Sequence, residues 1–106
     1  MDEAAEQKLI GELQDQHRRV KAYRVDGTLI VVRKCSSGER SRMMDKMADP
    51  RSSKAAVHKE LALSCIVHPD REAAKAILEE YPALYDDFAN AAYELAKGGV
   101  EELGKA

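Results

Sequence analysis

In the stretch 65-CIVHPDREAAKAILEEYPAL-84, Cys65 and His68 stand three apart, followed by acids and two prolines. A thiolate and an imidazole at that spacing make half of a zinc site. The other ligands would have to come from Cys35, His17, His58 or a carboxylate, and none of these forms a second close pair. Ser64 or Cys65 beside His68 also suggests a nucleophile and its base, but no third group stands by to orient the imidazole. Helix punctuation accounts for the same residues. Cys65 continues the spacing of Val57 and Leu61, as a small apolar residue on one helix face. His68 precedes Pro69, which disfavours helix at position 68. Pro69, Asp70 and Glu72 then suit the first turn of a new helix, where acids meet the positive end of its dipole. Tyr81-Pro82 repeats the device. The adjacent pairs Glu79-Glu80 and Asp86-Asp87 point to different sides of a helix and read as solvated faces. The sequence has no glycine-rich phosphate loop, no Gly-x-Ser-x-Gly and no His-Glu-x-x-His. The expectation is a chain without a catalytic residue, metal or cofactor.

The elements around this stretch follow from spacing and turn chemistry. Residues 2–16 read as a helix with Leu9, Ile10 and Leu13 on one side, a stripe narrow enough to predict loose docking. In 19-RVKAYRVDGTLIVVRKC-35, two apolar runs flank Asp26-Gly27, the signature of a hairpin with a type I′ turn. Ser36-Ser37-Gly38-Glu39 fits a capping box and predicts a helix through Met43, Met44 and Met47, ending near Asp49-Pro50. Ser52 or Ser53 caps the next helix, and the pattern from there to the end is helical, closing at Gly98-Gly99. The predicted fold is α+β and mostly helical: an N-terminal helix, one β-hairpin, then about four short helices. Residues 1–99 form a single domain in this reading, with 1–16 peripheral and 100–106 a flexible tail.

The chain has 106 residues, 44% hydrophobic and 34% charged, which allows one domain with a modest core and excludes a disordered tail. No apolar run approaches the roughly 20 residues that span a bilayer. The start, MDEAAEQKLIGEL, is acidic where a signal peptide is basic, and two cysteines make no disulfide framework. A cytoplasmic protein with reduced thiols is expected. The net charge of -2 hides an asymmetry: residues 17–34 carry six bases and one acid, residues 60–106 ten acids and four bases. Arg18, Arg19, Lys21, Arg24, Arg33 and Lys34 bracket the hairpin, with Tyr23 able to stack on a base, so a small nucleic-acid-binding or regulatory protein is the alternative reading. The acidic C-terminal half weighs against nucleic acid, and bases at a sheet edge also serve to block unwanted pairing. The methionines of 43-MMDKM-47 suit either core filling or a surface that accommodates an apolar helix.

The order of parts resembles the tail assembly chaperones of long-tailed bacteriophages and prophages. The strand 28-TLIVVRKC-35 leads into the capped helix 36-SSGERSRMMDKMADP-50. Beyond it, the break Cys65-Ile66-Val67-His68-Pro69, the helix start Tyr81-Pro82-Ala83-Leu84 and the close Leu95-Ala96-Lys97-Gly98 stand in the places where such chaperones carry theirs. The resemblance covers residues 28–99; the N-terminal helix and the basic strand 19–25 lie outside it. It implies a non-enzymatic oligomer that binds and solubilises the tape measure protein in the host bacterial cytoplasm and helps tail tube subunits assemble around it. It also implies a longer frameshifted form in many members, for which Gly104-Lys105 is a candidate slippery site. The partner surface expected from this reading includes Met43, Met47, Tyr81, Tyr85 and Phe88.

Overall fold

Asp26 and Gly27 both take positive φ, 48° and 78°, the geometry that a two-residue type I′ turn demands. In the computed structural model, which describes residues 2–104, this turn joins β1 (Val20–Val25) to β2 (Thr28–Arg33) as an antiparallel hairpin. Lys105, of the Gly104-Lys105 pair, and Ala106 lie outside the described residues. Before the hairpin runs α1 (Glu3–His17), capped by the Asp2 carboxylate, which accepts from the Ala5 N–H at 2.7 Å. After it come α2 (Ser37–Ala48), α3 (Lys54–Cys65), β3 (Ile66–His68), α4 (Arg71–Glu80) and α5 (Leu84–Ala96). The expected α+β fold is observed, mostly helical, with an N-terminal helix, a hairpin and four helices after it.

The local signals act as read. Ser36 Oγ accepts from the Glu39 N–H at 3.1 Å, and the Glu39 carboxylate accepts from the Ser36 N–H at 2.8 Å, so both halves of the capping box form. Ser53 caps α3. Gly98 closes α5 at φ 68°, a left-handed position where a side chain would strain the backbone.

Two corrections arise at the opening stretch. Ile66–His68 is a third strand rather than a bare break between helices. It pairs antiparallel with β2 through Val31↔His68 and Val32↔Ile66, across an irregularity, and gives the order β1-β2-β3. Two β-branched residues and a residue before proline already favour extended backbone, and β2 supplies the partner. Pro69 is not in the first turn of α4: Asp70 is the N-cap, accepting from the Ala73 N–H at 2.9 Å, and the helix begins at Arg71.

The sheet has a layer on each face. Ile30 and Val32 of β2, Tyr23 and Val25 of β1, and Ile66 of β3 pack with α2–α5 into the main core, around Leu61, Cys65, Leu78 and Phe88. Leu29 and Val31 point the other way and pack with Leu13, Leu9 and Ile10 of α1, and with Val20 and Val67. Four consecutive residues of β2, Leu29 to Val32, are therefore buried, as befits a central strand covered on both sides. The narrow stripe of α1 is enough to seat it, because Leu13 is buried and each fully buried leucine contributes about 2 kcal/mol.

Candidate protein-binding groove

Met43, Met44 and Met47 lie on one side of α2, three and four residues apart, where helix geometry makes them neighbours. α3 and α5 cross beside them. His58 and Leu61 of α3 and Ala89, Asn90 and Tyr93 of α5 complete an open groove of about 190 Å³. Past Met43 and Leu61 a smaller recess of about 40 Å³ continues between α2 and α3, reaching Lys46, Val57 and Glu60. The floor is thioether, leucine, alanine and tyrosine ring. Polar and charged side chains stand along its border, several of them in contact with one another: Lys46 with Glu60, His58 Nδ1 with Asp86 Oδ1 at 2.8 Å, and Lys97 with Glu94 at 3.0 Å. Lys97 Nζ also lies 5.5 Å from the centre of the Tyr93 ring. Unbranched methionines adapt to different apolar shapes, and Met44 stands exposed at the groove. Such an arrangement can take the apolar face of a helix or extended segment.

Of the five expected partner residues, Met43 and Met47 line the groove and the other three do not. Tyr85 and Phe88 are buried in the main core, Phe88 with its ring 5.0 Å from that of Tyr23 and tilted 49°. Lys59, which reaches Glu79, sits 5.3 Å over the Tyr85 ring. Tyr81 is exposed at the end of α4, where its hydroxyl donates to the Asp26 carboxylate and ties that helix to the hairpin turn. Sequence reasoning missed Tyr93 and Asn90 as groove residues. The available signal was their offset from the Tyr85–Phe88–Ala92 stripe of α5, which places them on its flank.

Of the six bases around the hairpin, two pair with acids among the described residues. Arg24 pairs with Glu6 of α1. Arg33 grips Glu39 through two hydrogen bonds of 2.8 Å and also donates to the Ser64 carbonyl at 2.9 Å. This clamp joins the end of β2 to the start of α2 and the end of α3. The Arg33 guanidinium, helped by the Ser36 N–H, holds the Glu39 carboxyl at a pKa of about 2. Arg18, Arg19, Lys21 and Lys34 are exposed.

Among the described residues, no three His, Cys, Asp or Glu side chains gather as a metal-binding group. Cys65 faces the core. Burial, with Glu39 next, pushes its thiol up to about 12; burial also raises Cys35. Both cysteines are expected to resist alkylation at pH 8 in the native protein and to react fully in denaturant, which intact-mass spectrometry would report.

No protein-family profile matches the chain, and neither does any curated protein. A solved structure of an uncharacterised protein from Bacillus stearothermophilus shares the fold, with a TM-score of 0.66 at 23% identity over 91% of this chain and 99% of that one.

Proposed function

We propose that this chain is a non-enzymatic binding protein, a tail assembly chaperone of a long-tailed phage or prophage that covers apolar helical segments of the tape measure protein before tail assembly. The observation that supports this reading is the methionine groove, an open apolar floor with polar and charged side chains along its border. A long helix with an exposed apolar face aggregates unless something covers it, and a small groove-bearing protein acting in many copies can do so. Work in the bacterial cytoplasm belongs to the same reading; no described helix is long and apolar enough to cross a membrane. The basic-hairpin alternative has less support, since Arg24 and Arg33 are held by Glu6 and Glu39.

Co-expression with the tape measure protein of the same phage or prophage tests the proposal. The expected result is a soluble complex that survives 0.5 M salt. Met44→Glu and Met47→Glu set a carboxylate against an apolar client and should weaken binding by more than tenfold, since apolar anchors of this kind carry much of an interface. Both variants should keep the native circular dichroism, because Met44 is exposed and Met47 only half-buried. A client left insoluble, or binding unchanged in both variants, would reject the reading.

A further inference from the structure

The hairpin leaves one edge of the sheet open. Val25 and Thr28 flank the turn, and in a two-residue hairpin that pair exchanges hydrogen bonds. The odd-numbered residues of β1 thus turn their backbone groups toward β2, and the Arg19 carbonyl continues the pattern by accepting from the Lys34 N–H at 3.3 Å. Val20, Ala22 and Arg24 turn theirs outward. Among the described residues no strand pairs on that side. Arg18, Arg19 and Lys21 stand exposed along this edge, and none of them joins an ion pair among the described residues. Bases so placed repel a second β1 and favour an acidic strand.

An acidic strand of the right length lies at the other end of the chain. Residues 100–104, Val-Glu-Glu-Leu-Gly, have no regular structure, and Val100 and Leu103 are 82% and 89% exposed, far more than the other large hydrophobic side chains described. In extended form Val100 and Glu102 fall on one face and Glu101 and Leu103 on the other, one apolar group and one acid each. β1 matches this face by face: Lys21 with Tyr23 and Val25, Arg24 with Val20 and Ala22. The tail departs beside the side chain of Arg19, the residue before β1, since a Cβ on Gly99 would lie 3.9 Å from Arg19 Nη2.

We propose that residues 100–104 of one copy add as an antiparallel strand to the open edge of β1 in a second copy, reciprocally, closing a two-fold dimer. The chain's own tail starts at the Arg19 end of β1. To run antiparallel it would first have to travel to the Arg24 end, about 17 Å at about 3.3 Å per residue, which uses the whole tail. In a two-fold pair with edges facing, the Arg19 end of one β1 lies opposite the Arg24 end of the other, and each tail then runs antiparallel to its partner's β1.

Light scattering over a concentration series tests this on the full chain. The expected mass is twice 11.8 kDa. The double variant Glu101→Lys/Glu102→Lys reverses the charge of an exposed tail and leaves the fold alone; it should shift the dimer dissociation constant upward by more than tenfold. Ala22→Pro removes one outward N–H and no hydrogen bond to β2, so it should do the same. If Ala22→Pro loses its native circular dichroism, the tail variant alone decides. A full chain monomeric at every concentration, or a dimer unchanged by Glu101→Lys/Glu102→Lys, overturns the proposal.

Discussion

Phe88→Ala is expected to lose about 3–5 kcal/mol of stability, the range for removing a buried aromatic ring and leaving its cavity. Phe88 is only 2% exposed, and its ring meets Tyr23 across the contact between α5 and β1. Phe88 lies in the main core among buried side chains of the sheet and helices, so removing the ring leaves a cavity there. A domain of this size has about 5–15 kcal/mol in total, so Phe88→Ala should remove a large share of its stability. Urea denaturation at 25 °C would measure the loss as a lower midpoint with an unchanged slope. The sequence offered Phe88 as a partner contact, and the same variant separates the two roles. A stability change under 1 kcal/mol together with lost client binding would place the ring at the surface.

The contrast between Phe88 and Met47 shows what spacing can and cannot tell. Helical periodicity put Tyr85, Phe88 and Ala92 on one stripe of α5, but which way that stripe faces depends on the packing of α3 and of the sheet, elements distant in the chain. The methionines were easier to recognise, because all three stand on one helix. The far wall of their groove, Tyr93 and Asn90, exists only where α5 crosses them. The hairpin, the Ser36 capping box and the Gly98 terminus were legible because each is a contract between residues at most a few positions apart. β3 was not: three residues have too little pattern to announce a strand, and Ile66–His68 becomes one by finding β2. The run from Leu29 to Val32 did carry a signal of burial on both faces, whose outer cover is the short stripe of α1. Charge was half legible. The acidic start and basic hairpin meet in the Glu6–Arg24 pair, whereas Glu39 looked fully explained by its cap.

That double use of Glu39 leads to a pH-dependent prediction. Its carboxylate accepts from both Ser36 N–H and Arg33, is 10% exposed, and is held at a pKa of about 2 against an ordinary value of 4.5. A carboxyl depressed in the folded state stabilises the fold fully above its unfolded value. The contribution declines as pH falls through about 4.5 and is gone below about 2. The shift corresponds to at most about 3 kcal/mol, and solvent screening at the half-buried Arg33 brings the expected loss to about 2 kcal/mol. Glu39→Gln should therefore be less stable by about that amount at pH 7 and should lack this part of the acid limb, so its curve converges on the wild type near pH 2. Arg33→Ala should cost more at pH 7, about 3 kcal/mol, because it leaves the Glu39 carboxylate and the Ser64 carbonyl without their partner. Urea midpoints at half-unit pH steps would separate these outcomes; coincident curves for wild type and Glu39→Gln would show that the clamp contributes nothing, and parallel but displaced curves that its contribution does not depend on Glu39 ionisation. The clamp also bears on binding. It fixes the start of α2 against the end of α3, the two helices whose separation opens the recess beside Met43. Loosening it should weaken client binding through the position of α2, even though Arg33 itself lies outside the methionine groove.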